Sequence, residues 1–120
     1  MTPKSFTLDI TKQIGSFNKP INVDSDKSLS IRSFLIGAIS QGISKSTNVL
    51  ESEDVNSTIN CLKKLGIKIK LSKKTCEITG NGLNGFDYKK NIKLDSGNSG
   101  TLGRLILGLL VHAKNKVDIK

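Results

Sequence analysis

The sequence predicts an α/β fold with a single hydrophobic core. Two periodicities alternate along the chain: apolar residues recur at intervals of three and four in three segments, as in a helix, and at every second position in several shorter segments, as in a strand. The length of 120 residues is enough for one small domain and too short for two independent cores. The predicted order of elements is β-α-β-α-β-β-β-α-β.

The first part of the chain contains two extended segments and a helix. Weak alternation across residues 6–10 predicts a strand, and residues 20–23 predict a second, shorter extended segment. A polar cluster from Asp24 to Ser28 then precedes apolar residues at helical spacing. This pattern predicts a first helix that closes at Gly42.

The middle of the chain predicts a second helix between extended segments. Residues 47–50 are expected to be extended, and Asp54 is expected to cap a helix whose apolar face reaches Leu65. Gly66 is placed to supply the left-handed residue that ends this helix. Residues 67–71 alternate aliphatic side chains with lysine, which predicts a strand with one buried face.

The C-terminal part predicts three strands and a third helix. Residues 75–79 and 92–94 have the composition of strands, and apolar residues at helical spacing follow across residues 102–110. A last strand is expected at residues 117–119. The third helix therefore connects two predicted strands.

The positive charge of the chain predicts an anionic partner. Nineteen lysines and arginines against ten acidic residues give a formal net charge of +9. Nucleic acid is one candidate, but four phenylalanines and one tyrosine leave little for stacking on bases, and no RNP, helix-turn-helix or zinc-finger pattern is present. We therefore expect a small anion as the partner, with a basic nucleic-acid-binding protein as an alternative.

Metal-dependent and membrane-bound classes have little support in the sequence. Cys61 and Cys76 form no C-x-x-C pair, and a single histidine, His112, leaves too few ligands for a zinc site. The longest apolar run is shorter than the roughly 18 residues of a membrane span, and residues 1–10 lack the apolar stretch of a secretory signal. We therefore expect a cytoplasmic protein with no metal and no membrane contact.

The first candidate anion site is the start of the first helix. Lys27 and Ser28 open this helix, and Arg32 follows Ser28 by four residues, so Ser28 and Arg32 share a face. The free backbone N–H groups and partial positive charge of the helix N-terminus add to the two side-chain charges, a combination suited to a carboxylate or phosphate. The alternative is an ordinary capped helix whose basic residues face water.

The second candidate anion site is the turn before the third helix. Gly97 and Gly100 flank Asn98 and Ser99 there, and Arg104 follows within about one helical turn. Glycine permits a left-handed backbone and lets a ligand approach the main chain closely. The spacing matches neither a P-loop nor a dinucleotide-binding fingerprint.

Taken in order, these two segments and residues 47–54 between them resemble the EPSP synthase (3-phosphoshikimate 1-carboxyvinyltransferase) family. The resemblance covers about residues 14–110, which corresponds to roughly the first quarter of a family member. The sister family of UDP-N-acetylglucosamine enolpyruvyl transferases has Lys-Asn where this chain has Lys27 and Ser28. The Lys-Ser pair and Arg32 therefore favour the first family, with the sister family as an alternative.

The resemblance implies transfer of the enolpyruvyl group of phosphoenolpyruvate to the 5-hydroxyl of 3-phosphoshikimate, with release of phosphate. No metal or organic cofactor is implied. By resemblance, Lys27 is the catalytic residue and contacts both substrates. Ser28 and Arg32 are expected to bind 3-phosphoshikimate, the arginine through the carboxylate of the substrate.

The second segment is expected to bind the other substrate. By resemblance, the backbone of Gly100 lies against phosphoenolpyruvate. Asn98 and Arg104 are expected to shape and charge that end of the site. Together with the first segment, these residues imply a site for two anions.

The resemblance also implies an architecture larger than this chain. The family has two similar domains, each built from three β-α-β-α-β-β units in an inside-out α/β barrel. On that pattern, residues 1–20 are the first strands and belong to one domain, and residues 21–120 are the first part of the other. The enzyme is expected to be a monomer, and a non-catalytic anion-binding domain with the same fold is an alternative.

Overall fold

The computed structural model describes residues 5–13, 15–16 and 18–120. Its helices are α1 (Lys27–Ile39), α2 (Glu53–Lys64) and α3 (Gly100–Leu109). Its strands are β1 (Gln41–Ser46), β2 (Lys68–Ser72), β3 (Thr75–Asn81), β4 (Ile92–Leu94) and β5 (Val117–Ile119). The described residues therefore have an α/β fold, as the sequence predicts.

The strand β3 is the centre of a three-stranded antiparallel sheet, with β1 on one side and β2 on the other. Cys76 and Ile78 of β3 point into the core and are fully buried. Gly80 allows α1 to pack directly on the sheet, because a Cβ at this position would lie 2.2 Å from the carbonyl oxygen of Gly37. β4 and β5 form a separate parallel pair.

The three helices α1, α2 and α3 run in the same direction. β1 and β2 are parallel because each is antiparallel to β3, and α1 and α2 each reverse directly into one of these strands. The chain after β4 passes Cys61 and then Ser57, toward the N-terminal end of α2, before α3 begins. α3 then returns between the parallel strands β4 and β5. The three helix N-termini therefore lie at one end of the molecule.

A single hydrophobic core fills the space between the helices and the two sheets. α1 contributes Ile31 and Phe34, which have no exposed surface. α2 and α3 contribute Leu62 and Leu102, which are equally buried. Because these side chains come from every helix, the relative positions of the helix N-termini are fixed by close packing.

The predicted strand at residues 6–10 and the extended segment at 20–23 are not part of any sheet. The side chains of Phe6, Leu8 and Ile10 are at least 75% exposed. Alternation gives a segment two faces, but a strand also needs a partner for its backbone N–H and C=O groups. The described residues supply no such partner, and the strand prediction at 6–10 is wrong for this chain.

The first strand of the sheet also differs from the prediction. It is β1 rather than residues 47–50, and Gly42 lies inside β1 with a φ of 85° instead of closing α1. Most β1 side chains are exposed, so the sequence shows no apolar alternation there. β1 forms because its backbone pairs with β3, a long-range contact that local periodicity does not report.

The start of α2 is a further correction. Ser52, not Asp54, caps the helix, because the Ser52 hydroxyl accepts a hydrogen bond from the Val55 N–H at 3.3 Å. Serine and aspartate cap helices about equally well, so composition alone did not separate them. The end of α2 is as predicted: Gly66 follows the helix with a φ of 86°.

The remaining predicted elements are confirmed, with ends that move by at most two residues. These are the strands predicted at 67–71, 75–79, 92–94 and 117–119, and the helix predicted at 102–110. Each has a clear local pattern of alternating or helically spaced apolar residues. The residues that they bury belong to that pattern, while Leu71 of β2 and Leu105 of α3 remain exposed.

Candidate active site

The candidate site lies at the end of the molecule where the helices begin. Lys27 is the first residue of α1, and the Asp26 carboxylate caps this helix by accepting a hydrogen bond from the Leu29 N–H at 2.7 Å. α3 is capped by the neutral Ser99 and has no acidic residue in its first turn. The partial positive charge of the α3 N-terminus is therefore available to an anion.

The Lys27 side chain joins the N-terminal turns of α1 and α2. Its Nζ lies 2.9 Å from Oδ2 of Asp54, and the two side chains are 49% and 15% exposed. The ammonium thus contacts a fixed carboxylate and still reaches solvent with its other N–H groups. The sequence predicts a site role for Lys27 but only a capping role for Asp54, because nothing in the sequence spacing indicates that the two residues meet.

Ser28 and Arg32 follow on α1, one turn apart and on the same face. Arg32 is exposed and helps to line a groove of about 250 Å³ between α1 and α3, together with Leu105. The structure therefore brings Arg32 beside the helix that carries Arg104. An exposed guanidinium in this position can make paired hydrogen bonds to a carboxylate.

The turn before α3 is held by local hydrogen bonds. Gly97 has a φ of 57°, as expected for a glycine that permits left-handed backbone, and its N–H donates to the Asp95 carboxylate at 2.8 Å. The Ser99 hydroxyl accepts a hydrogen bond from the Leu102 N–H at 3.2 Å and caps α3. The cap engages the Leu102 N–H, and the N–H groups that precede it at the start of α3 have no intrahelical partner.

A buried thiol anchors the same turn to α2. The Cys61 Sγ donates a hydrogen bond to the backbone carbonyl oxygen of Asp95 at 3.2 Å. Burial raises the pKa of the Cys61 thiol, and the nearby Lys64 ammonium opposes this effect only in part. The thiol is therefore protonated at neutral pH and serves as a donor.

Open space adjoins the start of α3. Asn98, Gly100 and Arg104 are exposed, and a Cβ at Gly100 would meet no atom within 4 Å. A ligand can therefore approach the main chain of Gly100 without displacing any described residue. The structure places these three residues at the N-terminal end of α3, as the sequence analysis expects.

The six predicted site residues lie within the first two turns of a helix or in the turn that precedes one. They are Lys27, Ser28, Arg32, Asn98, Gly100 and Arg104. Within the ranges that the structure describes, no group of three or more histidine, cysteine or acidic side chains could hold a metal ion. The helices in those ranges also fall short of the length and apolar character needed to cross a bilayer.

Comparison with known proteins shows the family to which this arrangement belongs. The model of the family EPSP synthase (3-phosphoshikimate 1-carboxyvinyltransferase) matches residues 11–120. The chain belongs to the EPSP synthase family. The match confirms the resemblance seen in the sequence, and it extends that resemblance at both ends.

Curated EPSP synthases are close in sequence over most of this chain. A 3-phosphoshikimate 1-carboxyvinyltransferase of Bacillus cytotoxicus is 46% identical over 95 residues, which are 79% of this chain and 22% of the relative. One of Thermoanaerobacter sp. is 45% identical over 94 residues, again 22% of the relative. The chain therefore spans about a fifth of the length of these EPSP synthases.

Solved EPSP synthases share the fold. Two structures of EPSP synthase from Acinetobacter baumannii match 83% of this chain and 23% of theirs, with TM-scores of 0.70 and 0.72 and sequence identities of 33% and 34%. The α/β arrangement described above is thus part of the EPSP synthase fold.

Proposed function

We propose that this chain provides part of the active site for transfer of the enolpyruvyl group from phosphoenolpyruvate to the 5-hydroxyl of 3-phosphoshikimate, with release of phosphate. The observation that carries the proposal is the convergence of three helix N-termini at one end of the molecule, where Lys27 and the open backbone of Gly100 lie. Membership of the EPSP synthase family supports the choice of reaction.

The proposed roles follow from the chemistry of the substrates. Lys27 is the catalytic residue and contacts both substrates, and Ser28 and Arg32 bind 3-phosphoshikimate. The guanidinium of Arg32 suits the substrate carboxylate because both groups are planar and can make two parallel hydrogen bonds. Each substrate carries several negative charges, so fixed positive groups offset their mutual repulsion as they are brought together.

The second substrate is assigned to the start of α3. The backbone N–H groups near Gly100 face phosphoenolpyruvate, and Asn98 and Arg104 shape and charge this end of the site. Backbone donors and helix dipoles are already oriented before the substrate arrives, so they stabilise charge that shifts during addition and elimination. No metal or organic cofactor takes part in this proposal.

The proposal extends to the larger architecture. In the whole enzyme, residues 1–20 belong to one domain and residues 21–120 begin the other. The whole enzyme acts as a cytoplasmic monomer on small anions and does not engage nucleic acid. Its product serves the biosynthesis of aromatic amino acids.

The test uses a chimera in which residues 11–120 of this chain replace the matching segment of the Bacillus cytotoxicus relative. We expect the chimera to release phosphate from the two substrates. Lys27→Met should lower turnover on the order of 100- to 10,000-fold without unfolding the protein, since it removes a half-exposed ammonium. Lys74→Ala, which removes an exposed lysine elsewhere, is the matched control. Near-normal turnover by the Lys27→Met chimera would contradict the proposal.

A further inference from the structure

The contact between Lys27 and Asp54 has a geometry that suits the positioning of a catalytic ammonium. Asp54 is the second residue of α2, and its side chain is only 15% exposed. Its backbone carbonyl oxygen accepts a hydrogen bond from the Thr58 hydroxyl at 2.9 Å, and Thr58 is fully buried. The carboxylate therefore projects from a well-packed helical turn and is a fixed point.

Lys27 by itself has no such constraint. Its ammonium is carried on four rotatable bonds, its side chain is 49% exposed, and a free lysine side chain loses conformational entropy when it is ordered. The ion pair at 2.9 Å orders the ammonium before a substrate binds. A catalytic group that is ordered in advance loses less entropy in the transition state.

We propose that Asp54 is a positioning residue that holds the Lys27 ammonium in its reactive place, an inference that rests on the proposed function. Asp54 makes one contact with the ammonium and leaves the remaining N–H groups for substrate. The carboxylate does not touch the substrates. It acts through Lys27.

The negative charge of Asp54, considered apart from its contact with Lys27, leads to a different prediction. Asp54 is a negative group at a site that binds anions, so an effect of charge only would make its removal strengthen anion binding. Loss of positioning instead lowers turnover, because the lysine is no longer held where it reacts. The two explanations therefore predict changes in different quantities: stronger anion binding from the loss of charge, and lower turnover from the loss of positioning.

The experiment compares three variants of the chimera. Asp54→Asn removes the charge with little change in shape, Asp54→Glu keeps the charge on a longer side chain, and Glu53→Gln removes a charge from the same turn of α2. Glu53 is exposed and makes no ion pair with any residue that the structure describes. We expect Asp54→Asn to lower kcat about 10- to 100-fold with little change in KM, Asp54→Glu to recover part of the loss, and Glu53→Gln to match the parent.

A second measurement uses the 120-residue chain and needs no activity. Carbon NMR relaxation at the Lys27 Cε should report an ordered side chain that becomes mobile in Asp54→Asn and stays ordered in Glu53→Gln. Unchanged order in Asp54→Asn, or a kcat equal to that of Glu53→Gln, would overturn the inference. A parent chimera that releases no phosphate would instead contradict the proposed function, while the relaxation data still decide whether Asp54 orders Lys27.

Discussion

Arg32 is one of two arginines in a chain that otherwise uses lysine, so its guanidinium geometry can be tested apart from its charge. We expect Arg32→Lys in the chimera to weaken binding of 3-phosphoshikimate, because an ammonium cannot make two parallel hydrogen bonds to a carboxylate. The loss should be about 1–3 kcal/mol by isothermal titration calorimetry. The Lys74→Ala control should bind normally, and equal binding by the Arg32→Lys chimera would remove Arg32 from the site.

Gly100 and Gly80 predict opposite results from the same substitution. A Cβ at Gly100 meets no atom within 4 Å, so Gly100→Ala should leave the unfolding midpoint of the 120-residue chain unchanged or higher. It should weaken phosphoenolpyruvate binding in the chimera, because the methyl group occupies the approach to the backbone.

Gly80→Ala should lower stability by about 1–3 kcal/mol, because its Cβ would lie 2.2 Å from a carbonyl oxygen. Thermal unfolding of both variants is the measurement.

The positions of the candidate site residues in the fold could be predicted because these residues belong to short local patterns. A lysine and a serine at a helix start and a glycine-rich turn before another helix are visible in the sequence, and the structure places both at helix N-termini. Asp54 could not be found in this way, because its partner Lys27 is far away along the chain. The contact exists only because α1 and α2 are packed side by side.

At the scale of elements, the capping of α3 decides whether its N-terminus can present backbone donors. Ser99→Ala removes the side-chain acceptor for the Leu102 N–H and should lower the free energy of unfolding by about 1 kcal/mol. Urea denaturation of the 120-residue chain measures this change. Ser72→Ala, at an exposed position of β2, should change stability by less than about 0.5 kcal/mol. An equal effect of the two substitutions would contradict the capping role.

The elements that could be predicted from the sequence are those in which apolar residues recur at helical or strand spacing. β3 has regular apolar positions that become its buried face, and β2 and α3 bury part of theirs. β1 has no such period and depends on pairing with β3. The segment at residues 6–10 has a weak period but no partner strand among the described residues, so local pattern and structure disagree there.

At the scale of the whole molecule, two buried thiols make stability depend on alkaline pH. Burial raises the pKa of Cys61 and of Cys76 above the ordinary value of 9.0. Above pH 9.0 the unfolded chain loses these protons while the folded chain keeps them, so the unfolded state is favoured. The stability that the two protonated thiols contribute is fully present below this pH and is lost as pH rises toward their pKa values in the folded state.

We therefore expect the free energy of unfolding of the 120-residue chain to fall as pH rises above about 9. The Cys61→Ala, Cys76→Ala double variant should show a shallower decrease in the same range. Urea denaturation across a pH series gives both slopes, and the two proteins differ only at the two cysteines. Identical slopes would show that the thiols are not linked to folding.

The exposed apolar residues of α1 and α3 predict self-association of the 120-residue chain. Ile36 is 61% exposed and Leu105 37% exposed, and both line the groove between α1 and α3. Neighbouring apolar surface of this kind favours contact between copies. Sedimentation velocity should show a mass that rises with concentration, and Ile36→Lys should reduce it. Ile43→Lys, at an exposed position on β1, is the control and should leave the association unchanged.

The common direction of α1, α2 and α3 gives the molecule a source of positive potential that is built into its main chain. Peptide dipoles neither titrate nor undergo acetylation, so their attraction for anions persists where lysine side chains are neutralised or modified. Substituting any single side chain removes only one part of this field. The positive potential that this end of the molecule takes from its main chain is therefore encoded in how the strands are connected, and it lasts for as long as the chain remains folded.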